Sequence, residues 1–427
     1  MIAALVAAAA VAFALYAWWR RTPRTRVAER VVYAGSATFP AAAQDWPRWR
    51  GPRMDGISQE RGLATEWPEK GPPQLWAAEV GLGFSSPVAA AGKVYLFTFN
   101  NGRDTLSAFD ARTGKIVWNR DYGGGWTGPY TGTRASPTID GDAIYTYGGQ
   151  GDLVRWDLAS GEVRWRVNVL AETGASNTQW GMASSPLVLD DLVYVQNGVG
   201  SCVAVAVDKE TGKVAWKSKA QGPGGYAPIV PADVAGARQL IVLGGDAVWG
   251  MDAKTGETRW SEAWKTNYQV NATTPVVRDG HIFISSAYDH GCMMLRLSAA
   301  GAEKLWETKV VQSRFQGAVL DGDDLFANSE GKLVCLAWPD GKERWRAKDR
   351  KLDLGVGGSF VRVEDKLLLM SERGKLGWAR ATGEGAELLA QADVLDGTQI
   401  WSTPLIYGGR LYAKGTAELL CFDLTRR

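Results

Sequence analysis

Apolar positions along this chain come in short alternating runs broken by Gly, Asp and Asn, and one pattern of runs keeps returning. "SSPVAAAGKVYLF" from Ser85, "ASPTIDGDAIYTY" from Ala135, "SSPLVLDDLVYVQ" from Ser184 and "TTPVVRDGHIFIS" from Thr273 each place a Ser/Thr-Pro step before two hydrophobic stretches split by a Gly or Asp turn. Such a pair reads as a β-hairpin. A Gly-bearing turn follows, then a third strand ending on an aspartate, a Thr-Gly or Ser-Gly turn, and a fourth strand that carries a tryptophan. Trp76, Trp118, Trp165, Trp216, Trp260, Trp306 and Trp345 recur at intervals of 39 to 51 residues, and a period of about 40–50 residues marks four-stranded propeller blades. Units open near Ser86, Ser136, Ser185, Ala227, Thr274, Gly317, Gly358 and Thr403, which makes eight. The last unit stops after its third strand, while "PPQLWAAEV", Pro72 to Val80, is a fourth strand without a unit. If that N-terminal strand completes the C-terminal blade, the ring closes with no open edge. The pattern therefore predicts an all-β, eight-bladed β-propeller of antiparallel blades over residues 46–427.

The N-terminus is of another kind. Ile2 to Trp19 is an uncharged apolar run of 18 residues, enough for ~27 Å of helix. Trp18 and Trp19 suit an interfacial anchor, and Arg20, Arg21, Arg24 and Arg26 follow. The arginines would favour a cytoplasmic flank, whereas an exported propeller would place them outside. Residues 1–19 are therefore expected to be a membrane anchor or signal segment, preceding a propeller outside the cytoplasm, with 20–45 as a linker. No cysteine lies near the segment, so a lipid anchor on cysteine is not expected.

Composition excludes more than it proposes. The net charge of +2 implies no nucleic-acid partner. Two histidines, His281 and His290, cannot build a His-based metal centre. Cys202, Cys292, Cys335 and Cys421 are far apart and form no CxxC pair. "DYGGGWTGP", Asp121 to Pro129, lacks the Lys-Ser/Thr of a phosphate loop.

"AFDARTGKIVW" from Ala108, "AVDKETGKVAW" from Ala206 and "GMDAKTGETRW" from Gly250 share one design. Asp110, Asp157, Asp208 and Asp252 are placed to accept from turn amides, Thr-Gly to supply positive φ, and the tryptophan to pack between blades. A device repeated in every unit is architecture, not catalysis. In the seventh unit, "WARATGEGAELL", Leu388 and Leu389 fall at the tryptophan spacing, so that blade is expected to dock less firmly. These motifs, with the opening "DWPRWRGPRMDGIS" from Asp45, make the chain resemble the pyrroloquinoline quinone (PQQ) repeat, or quinoprotein-like, β-propellers. That group includes quinone-dependent alcohol dehydrogenases and BamB-like envelope proteins, and in it the repeated tryptophans form a docking motif.

Chemistry is left to the loops between units. They are rich in Asn, Gln, Tyr and Trp, and the candidate ligand-binding residues are Arg134, Gln179, Trp180, Tyr268, Asn271, His290, Arg314, Gln316, Gln399 and Trp401. A planar, anionic or glycan-like ligand would suit them. The resemblance implies PQQ over calcium for enzymatic members, but Asp121, Glu172, Asp289, Asp353 and Asp396 do not assemble its carboxylate site, and no cysteines are adjacent. No catalytic residue, metal or cofactor is assigned. The expected function is that of a non-enzymatic, monomeric scaffold in the bacterial cell envelope, on the periplasmic face. It would bind an envelope protein or polysaccharide and meet the membrane through its N-terminal helix. The alternatives are a PQQ-dependent dehydrogenase and a small-ligand sensor.

Overall fold

The computed structural model describes residues 44–425, so the apolar segment 1–19 and nearly all of the 20–45 linker lie outside the described residues. The first two strands, β1 (Ile57–Ser58) and β2 (Gln74–Glu79), join blades at the far end of the chain. Blade one is β3 (Val88–Ala90), β4 (Lys93–Asn100), β5 (Arg103–Asp110) and β6 (Ile116–Gly123), in that order from the axis outward. The sequence explains the layering. In "KVYLFTFN" six consecutive residues of β4 are buried, as a strand covered on both faces requires. In β6 only Trp118 and Tyr122 are buried.

The same four-stranded antiparallel sheet recurs over 138–168, 187–217, 230–263, 276–308, 319–346 and 359–393. The eighth blade takes three strands from 405–423 and its outermost from β2, with Trp76 opposite Cys421 and Ala77 opposite Leu420. Eight blades and their closure by the N-terminal strand thus stand as the repeat pattern predicts. Blade seven gains a fifth strand on its inner edge, β1, which pairs in parallel with Arg362 and Val363. A single helical turn, α1 (Val169–Thr173), capped by the Asn168 side chain, follows blade two.

A bulge aims each docking position. In β5/β6, Ala108 faces Trp118 while Phe109 faces Ile116, leaving Val117 as the extra residue. The other seven outer pairs carry the same register shift. A bulge turns its side chain out of the strand's plain alternation, here toward the next blade. The Trp76 ring lies on Gly114, where an added Cβ would sit 2.6 Å from it, and Trp118 lies equally close on Gly161. Trp165 and Trp216 cover Gly212 and Gly256 in the same way. Trp76 Nε1 donates to Ala111 O at 3.2 Å and Trp165 Nε1 to Lys209 O at 2.9 Å. Asp110 Oδ1 accepts from the Thr113 N–H and hydroxyl, both at 2.8 Å, and from the Arg112 N–H at 3.1 Å. Asp157, Asp208 and Asp252 repeat this bonding.

Blade seven departs from its sequence spacing. Its third strand runs on to Thr382, so the docking position opposite Trp378 falls on Ala390, not on Leu388 or Leu389. Trp378 itself is buried and donates to Ala64 O at 3.1 Å. The segment before β2 thus supplies the acceptor for this indole.

That lead segment, 44–63, crosses the ring. Trp46 exchanges backbone bonds with Ala89, Pro47 O accepts from Ile139, Trp49 Nε1 reaches Thr274 Oγ1 at 2.8 Å, and the Glu60 carboxylate accepts from Gly408 and Gly409. These partners sit at the inner edges of blades one, two, five and eight. Arg50 is the fastening. It is 3% exposed, and it donates to Gly317 O at 2.7 Å, Ala318 O at 2.6 Å, Asp55 O at 2.9 Å and Met54 O at 3.1 Å. A segment bonded to opposing inner strands must span the axial channel, so the ring is not an open water-filled tube.

Candidate functional site: an aromatic cavity at the channel mouth

Ser/Thr-Pro steps build the rim. The Thr403 N–H donates to Ser86 Oγ at 2.8 Å, the Ser86 N–H to Ser136 Oγ at 2.9 Å and the Ser136 N–H to Ser185 Oγ at 2.9 Å. This chain of bonds runs from blade eight through blades one and two to blade three and fixes where their connecting loops enter the mouth. The recurring serines are therefore occupied in architecture.

Inside the rim lies a cavity of about 210 Å³, and Trp49 from the crossing segment lines it from within. Phe84, Tyr130, Arg134, Trp180, Tyr226, Arg314, Phe315 and Trp401 reach it from connections between blades, and Tyr288 from a turn within blade five. Trp401 is the hub. Its ring stacks on Phe84 (centroids 4.7 Å apart, planes 28° apart) and meets Phe315 at 4.6 Å and Tyr130 at 5.3 Å. It lies so close to Gly357 that a side chain there would overlap the indole.

Two guanidinium groups supply the charge. Arg134 lies 5.4 Å from the Trp126 ring centre and donates to Pro129 O and Tyr130 O at 2.7 Å each, so its own loop holds it. Burial lowers its pKa to about 10. Arg314 sits 4.9 Å from the Tyr288 ring centre and 3.2 Å from the Glu330 carboxylate. Among the described residues, no carboxylate lines the cavity. Behind the Arg134 loop, Asp104 is wholly buried on the Tyr122 hydroxyl at 3.2 Å, and burial pushes its carboxyl up to about 7.

Of the residues singled out by sequence, Arg134, Trp180, Arg314 and Trp401 meet in the cavity. Gln179 and Tyr268 line a neighbouring groove with Thr266 and Asn267, and Tyr268 approaches Tyr288 edge-on at 5.5 Å. Gln399 is exposed beside the mouth. Three turn inward. Asn271 is fully buried, bonded to Gly244 O, Trp264 O and the Ser286 hydroxyl. Gln316 accepts from Thr403 Oγ1 at 3.0 Å, and His290 packs edge-on against Trp264, its pKa lowered by burial. Trp49, Phe84, Tyr130, Tyr226, Tyr288 and Phe315 belong to the cavity without having been singled out. Trp49 stands in the opening "DWPRWRGPRMDGIS", and nothing in its spacing says that it crosses a channel.

The donor set can be tested against the quinone and calcium that the resemblance implies. Calcium takes about six to eight oxygen ligands, usually including carboxylates. The cavity wall presents none, Glu330 is engaged by Arg314, and no three His, Cys, Asp or Glu side chains among the described residues cluster to hold a metal. The four cysteines are buried, free and separate. These residues do not fit a calcium-supported quinone.

Four-stranded blades docked tryptophan on glycine and closed by an N-terminal strand define a PQQ-repeat, quinoprotein-like β-propeller. Residues 102–347 match the family model described as outer membrane protein assembly factor BamB, and the chain belongs to that family. The outer membrane protein assembly factor BamB of Bordetella pertussis is 21% identical over 308 residues, which cover 69% of this chain and 72% of the relative. The Yersinia pestis protein of the same name is 24% identical over 211 residues, 48% of this chain and 49% of its own, so the match spans about half of that relative. Among solved structures, BamB from Moraxella catarrhalis superposes with a TM-score of 0.61 at 16% identity, over 83% of this chain and 98% of that one. Quinohemoprotein alcohol dehydrogenase ADHIIG from Pseudomonas putida HK5 gives 0.64 at 13% identity, over 90% and 81%. At these identities the structural likeness speaks for the fold alone.

Proposed function

We propose that this chain is a non-enzymatic binding propeller of the bacterial cell envelope, facing the periplasm and offering its loop face to a protein or polysaccharide partner. The observation that carries the reading is the mouth itself. Among the described residues, aromatic rings and two arginines converge there without a carboxylate or paired nucleophile and base, and Tyr130 and Tyr268 stand 45% and 58% exposed at its edge. Exposed aromatics beside arginine are the usual anchors of a binding surface. Relatives named as outer membrane assembly factors support the envelope setting. A photo-crosslinking residue at Tyr268, in the full chain in its native membranes, is expected to capture a discrete partner, and one at Val163 on an outer strand is not. Equal yields from both positions would defeat the proposal.

The concave aromatic cavity favours a small-ligand role as a second reading. The dehydrogenase alternative has a direct test. Protein mixed with calcium and PQQ is expected to give no dye reduction with alcohols or aldoses, and sustained turnover would replace the present reading.

A further inference from the structure

Two tyrosines of the mouth cavity hold backbone conformations that bulky residues seldom adopt, Tyr130 at φ 56° and Tyr288 at φ 63°. Left-handed backbone is costly for any residue but glycine, and such strain clusters at ligand clamps. Glycine at either position would relieve it, yet an aromatic ring is kept, and both rings are in use. Tyr130 meets Trp401 at 5.3 Å and Trp180 at 5.8 Å, and Tyr288 carries the Arg314 guanidinium 4.9 Å from its ring centre.

The unpartnered polar atoms of the wall are donors. Trp180 Nε1, Trp401 Nε1 and Arg314 Nε are buried without an acceptor. Among the described residues, no Asp, Glu, Asn or Gln side chain lines the cavity. The side-chain acceptors of this wall are the hydroxyls of Tyr130, Tyr226, Tyr288 and Ser185, whereas its unpartnered polar groups are all donors. Such a wall serves a ligand that brings its own acceptors and offers a flat face to aromatic rings.

From this we infer that the mouth cavity binds a small flat aromatic carboxylate, its ring against the Trp401–Tyr130 wall, its anion toward Arg134 and Arg314, and Trp49 closing the far side. The inference rests on the reading of the loop face as a binding face. Its failure is separable, because crosslinks from Tyr268 do not require the cavity to be filled. Since Trp49 comes from the crossing segment, the site is complete only when that segment is seated.

The test is thermal unfolding of the full chain with four probes: 2-naphthoate, the neutral 2-naphthalenemethanol, the non-planar cyclohexanecarboxylate, and galacturonate. A hundredfold excess of 2-naphthoate over its dissociation constant is expected to raise the midpoint by about 3 °C, with the other three giving little or none. The shift should persist in EDTA, since no metal is required. Arg314→Gln and Trp49→Phe should each weaken 2-naphthoate binding at least tenfold while circular dichroism stays that of the folded ring. If either variant fails to fold, Arg134→Gln together with quenching of tryptophan fluorescence by 2-naphthoate in the unaltered chain decides the matter. No shift and no quenching, an equal response to the neutral or non-planar probe, preference for galacturonate, loss in EDTA, or binding unaffected by these substitutions would each overturn the inference.

Discussion

Gly161 shows what the repeated Thr-Gly or Ser-Gly turn is for at the level of single atoms. Its φ of +72° suits glycine, and a Cβ there would stand 2.6 Å from the Trp118 ring. Gly141 also has positive φ, +59°, but faces open space. Gly161→Ala is expected to cost about 2–4 kcal/mol and Gly141→Ala about 1 kcal/mol, read from urea unfolding. Equal losses would mean that the ring contact adds nothing to the backbone effect. Asp104 gives a pH-dependent counterpart. Burial chiefly raises its carboxyl to about 7; the Tyr122 hydroxyl opposes the rise, Asp152 adds to it, and Arg166 and Arg134 oppose it. Between the ordinary carboxyl value of about 4 and 7, the folded chain keeps a proton that the unfolded chain has released. Stability therefore falls as pH rises through that window and levels off above it. Asp104→Asn is expected to remove this slope, up to about 1.4 kcal/mol per pH unit. Urea midpoints from pH 4 to 8 measure it, and an unaltered slope would assign it to other groups. At this scale the aspartates and tryptophans were legible, because each recurs at fixed spacing. The seat that Gly161 gives Trp118 was not, because it joins residues of different blades.

Among the elements, the hairpins and the closing strand β2 followed from hydrophobic alternation and from one strand missing at each end of the chain. The bulges did not, since one extra residue such as Val117 leaves no mark in composition. Nor did the path of residues 44–63, which has little strand pattern and is held by isolated backbone bridges and single side chains. Arg50 dominates that path, bonded to four backbone carbonyls, its pKa lowered to about 10 by burial. Only a planar fork reaches Gly317 O and Ala318 O together, so lysine is no substitute. Arg50→Ala leaves these carbonyls without their donor and is expected to destabilise seating of the segment by about 3–5 kcal/mol. Limited proteolysis should then cut within 44–63 while blades two to six stay protected. Protection of 44–63 equal to the parent would show that Trp46, Trp49 and Glu60 suffice. The cavity was half legible for the same reason: Arg134, Trp180, Arg314 and Trp401 lie in loops that the blade pattern already placed together, whereas Trp49 arrives on the unpatterned segment.

For the ring as a whole, one seam differs from the rest. Neighbouring blades elsewhere are joined by short connections, but β2 meets Glu418–Asp423 across most of the chain. Closing so long a loop carries an entropy cost that local hairpins avoid, so this blade is expected to open before the ring unfolds. The seam is reinforced where that cost falls. Trp76 sits on Gly114 and Tyr412 lies 5.7 Å from it, while the eighth blade shares its core with Trp46, Leu63 and Trp378 of the lead segment and blade seven. Native-state hydrogen exchange should find the amides of Ala77 and Leu420 opening at lower free energy than those of Val205 and Ala206 in blade three. Trp76→Ala should lower the seam's opening energy by about 3–5 kcal/mol with less effect on blade three, and Trp216→Ala should do the reverse. Uniform exchange around the ring, with both substitutions lowering every blade alike, would show that the propeller opens only as one cooperative unit and that its closing strand is no weaker than the blades it joins.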